Sequence, residues 1–283
     1  MRKFPGLIVG SAIVLAGCNL SSDLSSTQRL GFVNITQVGE GDTAKLNVVG
    51  QFFQSSPSIQ PTIPNTASVG DTCAVFDYQG PPDNPGPVKV DNLNAGDTIT
   101  ITTDKAVGKL VPVMNLAGSV DYRLVGGPLA FTPGSQVSVN IPGDSGGFPA
   151  HSVNVKTFVT PTFAPIERHP DQDLDLNWSS GGAPLGAMQL DFLYSNTEAV
   201  SPNKEMLCRL RDDGNYTIPR FIVGGEWASS PDDAQSVSGI RWNTTLQQNQ
   251  DVLLDVIVQV QLPSLPLTAP DTTTAALRAP ATL

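Results

Sequence analysis

Val252-Leu253-Leu254-Asp255-Val256-Ile257-Val258-Gln259-Val260-Gln261-Leu262 decides the fold class. Val252, Leu254, Val256, Val258, Val260 and Leu262 recur every second position, the period of a strand with one face in a core. A helix would place these six residues all around its axis. The stretch is also rich in β-branched residues, which suit a pleated surface. It reads as the longest strand of the chain, and a slip of one residue would turn the whole apolar set to water.

Working outward, the same period recurs along the chain. Ile99 and Ile101 alternate with Thr98, Thr100 and Thr102, and Val137, Val139 and Ile141 with Ser138 and Asn140. Val153, Val155 and Val159 share a face with Thr157. Leu174, Leu176 and Trp178 alternate with Asp173, Asp175 and Asn177, and Leu190, Phe192 and Tyr194 share a face. Turn residues separate these runs: Gly41-Asp42, Gly70-Asp71, Gly96-Asp97 and Gly134-Ser135 each precede one. Asp213-Gly214 lies between Leu207–Arg211 and Tyr216–Ile218 and predicts a hairpin. Helix signals are nearly absent; Ser230-Pro231-Asp232-Asp233 is suited to start one short turn. With 26 Gly and 24 Pro in 283 residues, the composition agrees with short strands and many turns.

The fold expected is all-β, built from antiparallel sandwiches, two in tandem, with a single large sandwich as the alternative. Residues 30–150 form the first domain and residues 151–262 the second. Residues 263–283, rich in Pro, Thr and Ala, read as a disordered tail.

The beginning of the chain has a different character. Arg2 and Lys3 precede a short apolar run, Leu7, Ile8, Val9, Ala12, Ile13 and Val14. This is the pattern of a secretory signal, and it is too short to span a bilayer. Leu15-Ala16-Gly17-Cys18 resembles the bacterial lipobox, a leucine and two small residues before cysteine. The resemblance implies a signal peptide over 1–17, cleavage before Cys18, and lipid (palmitate among the acyl chains) on that cysteine. Two or three acyl chains make a stable anchor, whereas one alone is marginal. Asn19 follows Cys18 where enterobacterial lipoproteins retained at the inner membrane carry aspartate. The resemblance therefore implies a lipid-anchored protein of the cell envelope, at the outer membrane if the host has one. Residues 18–29, mostly Ser, Thr, Asn and Asp, read as a flexible tether.

Removing 1–17 takes away two basic residues and no acidic ones. The 16 basic and 26 acidic residues thus become 14 and 26, a net charge of −12. That balance disfavours nucleic acid as a partner, because phosphate binding rests on Lys and Arg. With Cys18 assigned to lipid, Cys73 and Cys208 are left in a compartment that permits a disulfide. They are expected to pair and to tie the two halves together; the alternative is two buried thiols.

A second resemblance spans about fifty residues. Asp173-Leu174-Asp175-Leu176-Asn177-Trp178, then Cys208, then Asp212-Asp213-Gly214-Asn215-Tyr216-Thr217-Ile218-Pro219 resembles a pattern in uncharacterised secreted lipoproteins with immunoglobulin-like β-sandwiches. It implies a fold and carries no activity.

No catalytic constellation emerges. Gly143-Asp144-Ser145-Gly146-Gly147 matches the segment around the nucleophile of trypsin-like proteases. In that family a histidine and an aspartate precede the serine. Here both histidines, His151 and His169, follow Ser145, and Phe148 stands where proline is usual, so the segment reads as a glycine-rich loop. Glu167, His169, Asp171, Asp173 and Asp175 crowd one strand entry. The spacing excludes an EF-hand, since Leu176 and Gly182 occupy the positions that need glycine and glutamate. Zinc would need more His or Cys nearby. No metal and no cofactor is expected. Asp212 and Asp213 read as turn residues, not an acid pair. The function expected is a non-enzymatic binding or structural role in the envelope, with a partner protein or glycan. The alternatives are a carbohydrate-binding module, which requires exposed tryptophans, and a hydrolase of envelope polymer, which requires two carboxylates converging in a cleft.

Overall fold

Why the alternating runs assemble as they do follows from their register. The computed structural model describes residues 28–54, 70–78, 80, 91–114, 119–169, 171–181, 186–197, 201–230, 235–249, 251–262, 265 and 267–268. The signal, the lipobox and most of the tether and tail lie outside these residues.

The strands begin with β1 (Arg29–Val38), β2 (Lys45–Gln54), β3 (Thr72–Asp77), β4 (Asp91–Asn92), β5 (Ile99–Thr102) and β6 (Val107–Met114). They continue with β7 (Val120–Leu124), β8 (Leu129–Ala130), β9 (Gln136–Ile141), β10 (His151–Lys156), β11 (Ile166–Glu167) and β12 (Leu174–Asn177). The remainder are β13 (Ala187–Tyr194), β14 (Lys204–Arg211), β15 (Asn215–Ile218), β16 (Ser236–Asn249), β17 (Val252–Gln261) and β18 (Leu267–Thr268). Among the described residues one α-helix, α1 (Arg220–Ser229), precedes β16, and a 3-10 turn, Gly41–Thr43, links β1 to β2. The fold is all-β and sandwich-like.

One continuous sheet of 14 strands carries the architecture, in the order β10-β9-β5-β6-β7-β2-β1-β17-β16-β13-β14-β3, with β4 and β8 also pairing with β2. β11 with β18 and β12 with β15 form two small sheets. The large sheet is mixed. β1 and β17 run parallel from Arg29↔Val252 to Gln37↔Val260, and every other pairing in it is antiparallel. Alternation cannot distinguish these cases. A parallel pair needs a long crossover, and here most of the chain supplies it.

The large sheet has two cores on one face. In the first, the sheet curls until β10 comes close to β17. Val137, Val139, Ile141, Val153 and Val155 then share a cluster with Val33, Ile35, Leu254, Val256 and Val258. In the second, Met188, Leu190, Phe192, Met206 and Leu210 cluster with Leu174, Leu176 and Trp178 near the small sheet, Ile218 of β15, and Val223 and Trp227 of α1. Register shows that the face is shared: Val260 pairs with Arg241, Arg241 with Met188, and Met188 with Leu210. Neither core is contiguous in sequence. β17 closes the first and β3 joins the strands of the second.

Several local expectations change. The longest strand is β16, with 14 residues, not the stretch from Val252. Its inward positions include Gly239 and Arg241, which break the apolar period. The hairpin expected at Asp213-Gly214 does not form. β14 pairs with β13 and β3, while β15 pairs with β12, so the turn carries the chain from one sheet to another. Gly214 has φ +109°, a conformation that favours glycine. β10 ends at Lys156; Val159 is exposed, and Phe158 takes the buried place. The helix lies before Ser230, which ends it instead of starting a turn; Pro231, Asp232 and Asp233 lie outside the described residues. At the tail, Leu265 is buried and Leu267–Thr268 pairs in parallel with Ile166–Glu167, so ordered chain extends past 262.

Candidate functional site: the polar seam between the two cores

Where the two cores meet, a charged pair is buried. Arg241 Nη2 donates to Asp212 Oδ1 at 2.8 Å, and both side chains are essentially inaccessible. Asp212 also accepts from Trp178 Nε1 at 3.0 Å and from the Gly181 N–H at 3.1 Å. Arg241 donates from Nη1 to the Val159 carbonyl at 3.3 Å and from Nη2 to the Ser179 carbonyl. Its guanidinium stands 5.7 Å from the Phe158 ring centroid. Phe158 belongs to the first core and Trp178 to the second. The pair therefore bridges the two.

Burial pushes the Asp212 carboxyl above its usual range, opposed by the Arg241 charge and by the donors at Trp178 and Gly181. Burial likewise pushes the Arg241 guanidinium down, opposed by Asp212. Arginine does not deprotonate in proteins, and Asp212 accepts three donated bonds, so the pair is ionised. This arrangement holds geometry. Neither group faces solvent.

The three parts of the second sequence resemblance come together here. Trp178 follows the Leu174-Asp175-Leu176-Asn177 strand and binds Asp212; Leu176 pairs with Tyr216, and Cys208 lies two residues before Leu210 on β14. Asp212 is thus more than a turn residue, whereas Asp213 is half-exposed and lies 4.0 Å from Arg211. Arg241 escaped sequence reading, although it sits in phase with inward-facing Val237 and Gly239.

Cys73 and Cys208 form a disulfide between directly paired residues of β3 and β14. Ion pairs fasten β3 on both sides of it. Arg211 binds Asp71 through Nε at 3.0 Å and Nη2 at 2.6 Å, and Lys204 binds Asp77 at 2.7 Å. The sequence offers no pattern that would place Thr72–Asp77 beside the second half; the cysteine count alone points there. Cys18 lies outside the described residues.

The Gly143–Gly147 segment is a packing loop. Asp144 N–H donates to Phe148 O at 2.9 Å, and Gly147 N–H to Asp144 O at 3.2 Å. A Cβ on Gly147 would overlap the Asn94 carbonyl, so glycine is required there. The loop drives Phe148 into the first core against Phe52, with ring centroids 4.8 Å apart. Ser145 is exposed, and the nearby His151 places Nδ1 3.1 Å from the Pro149 carbonyl. The adjoining strand-linking segment is tied by Tyr122. Its hydroxyl accepts from Ala95 N–H at 2.8 Å and lies 2.8 Å from Asn94 Oδ1 and 2.9 Å from Gly96 O.

The acidic cluster disperses into local bonds. Asp173, at the entry to β12, accepts from the Arg220 N–H at 2.7 Å and so caps α1. Asp175 accepts from Thr217 Oγ1 at 2.6 Å. His169 Nε2 lies 3.4 Å from Glu167. No group of three His, Cys, Asp or Glu suited to a metal occurs among the described residues.

Two further carboxylates lie on the opposite face of the large sheet. Asp255, paired across strands with Phe32 and Leu246, is fully buried, and burial pushes it up to about 6. It accepts from Thr244 Oγ1. Asp191 is also pushed up to about 6, by burial and then by the charge of Glu205. Trp178 and Trp227 are buried, and only Trp242 is partly exposed, so the tryptophans form no flat exposed row.

No known protein family and no curated protein matches this chain. Among solved structures, it is similar to a yeast delta-COP-I mu-homology domain at 9% identity and a TM-score of 0.25, over 87% of this chain and 100% of that one. A likeness at that level carries no argument about function.

Proposed function

We propose that this protein is a lipid-anchored lipoprotein of the cell envelope with a non-enzymatic binding or structural role, exported and modified at Cys18. The observation that carries the reading is Leu15-Ala16-Gly17-Cys18 at the end of a short apolar run that begins after Arg2 and Lys3. The Cys73–Cys208 disulfide supports it, because such bonds persist in oxidising compartments. So does the start of β1 at Arg29. That leaves a short polar tether with a reach of at most about 40 Å, which keeps the folded part near a membrane surface. The non-enzymatic role is supported by the burial of Asp212 and Arg241, whose charges face each other. A tandem, immunoglobulin-like arrangement is the finer fold reading that the Asp173–Trp178 and Asp212–Pro219 segments favour.

The test is expression of the full chain in a lipoprotein-processing bacterium fed labelled palmitate. The wild type is expected to incorporate label and to fractionate with membranes. Cys18→Ser is expected to lose both. A wild type without label, or a variant that keeps it, overturns the reading.

A further inference from the structure

Five buried side-chain atoms of four residues have no hydrogen-bond partner: Gln37 Nε2 and Oε1, Thr160 Oγ1, Arg241 Nε and Asn243 Oδ1. Register puts three of these residues on one face of the large sheet. Gln37 pairs with Val260, and Val260 with Arg241. Asn243 pairs with Val258, which is next to Ile35. The side chains between them are Val258 and Val260, both buried in the first core. Thr160 follows Val159, whose carbonyl accepts from Arg241. Gln37 and Arg241 are each only 1% exposed.

Buried polar atoms without partners are rare because each costs an appreciable fraction of a domain's small net stability. Three of these four residues share one face of adjoining strands, and together the unpaired atoms point to an occupant. Its chemistry follows from the groups around it. The Arg241 charge is already matched by Asp212, so the site has no net charge to attract an ion. The Gln37 amide nitrogen and Arg241 Nε donate; the Gln37 and Asn243 oxygens accept; the Thr160 hydroxyl does both. The occupant must therefore donate and accept equally, and be small enough to sit within a buried seam.

We propose that this seam is a binding site for a cluster of internal water molecules held jointly by Gln37, Thr160, Arg241 and Asn243. Buried waters ordinarily make two to four hydrogen bonds to such groups. In this arrangement they connect β1 of the first core to β16 at the edge of the second, beside the ion pair that joins the same two cores. The waters then act as a polar filler where two apolar clusters cannot interdigitate.

The test uses the full chain in detergent. Water magnetic relaxation dispersion reports long-lived internal waters, and thermal melting reports stability. Gln37→Met keeps the length of the side chain and removes both of its polar atoms. If waters are held there, the variant loses dispersion amplitude and melts lower, by ~3–6 °C. If the amide is unsatisfied, the substitution removes two unpaired atoms and the midpoint rises. A higher midpoint, or a dispersion amplitude equal to that of the wild type, overturns the proposal. Should Gln37→Met fail to fold, Thr160→Val at the edge of the seam is read in the same way: lower amplitude supports the site, and unchanged amplitude overturns it.

Discussion

The two cores on the large sheet are held in different ways. The first is mostly apolar, with a polar knot at Tyr122, and several of its strands read directly from alternation. The second is smaller and includes a disulfide, a helix capped by a distant aspartate, and a buried ion pair at its boundary. A core made by curling one long sheet buries enough side chains by itself. One assembled from short pieces (four-residue β12 and β15, two-residue β11) buries less per element and depends on specific bonds.

Removing the disulfide should break the second core most. Cys73 and Cys208 are 135 residues apart. Closing a loop of that length contributes roughly 5 kcal/mol in the chain-entropy model. Cys73→Ser with Cys208→Ser should lower the denaturant midpoint by a corresponding amount. A loss under about 1 kcal/mol would show that β3 is held by its ion pairs alone.

Next in size is Asp212→Ala, which strands the Arg241 charge in the interior. A cost of about 3–5 kcal/mol is expected. Replacing both partners with apolar residues of similar size should cost much less. Chemical denaturation followed by tryptophan fluorescence separates the two, since Trp178 binds Asp212 directly.

Asp255 provides a contrast from the outer face. Its folded-state pKa, about 6, lies above the ordinary carboxylate value. A raised acid binds its proton more tightly when folded, so folding stability falls as pH rises from about 4 to about 6 and is flat above. Asp255→Asn should therefore stabilise the protein above pH 6 by about 3 kcal/mol, because each tenfold gain in proton affinity corresponds to about 1.4 kcal/mol. The same substitution should leave stability unchanged near pH 3.5. Melting profiles of the two proteins at both pH values check this, and equal offsets at both would refute it.

The smallest effect belongs to the first core. Tyr122→Phe deletes one hydroxyl and leaves the buried Ala95 N–H unpaired, at a cost of about 2 kcal/mol. Urea unfolding would detect it. If this loss equalled that of Asp212→Ala, the contrast between the cores would fail.

Much of the strand content was legible because burial on one face imposes a period of two. Ile99 and Ile101, Val137 to Ile141, Leu190 to Tyr194 and Val252 to Val260 all face a core. β16 was not legible, because Arg241 and Gly239 occupy inward positions that the period assigns to apolar residues. The same irregularity marks the seam. α1 was missed because its cap comes from Asp173, 47 residues upstream. Nothing within Arg220–Ser229 provides one.

The sequence by itself determined the class of structure and the phase of several strands, and it raised the expectations for Cys18 and for a pairing of the two cysteines left over. These rest on local period, local motif and counting. Tertiary structure alone decided that β1 and β17 run parallel and that Asp213-Gly214 turns between sheets. It also decided that Arg241, Asp212 and Trp178 meet. Each of these depends on which distant strands become neighbours, and an alternating pattern records which face is buried without recording the strand beside it.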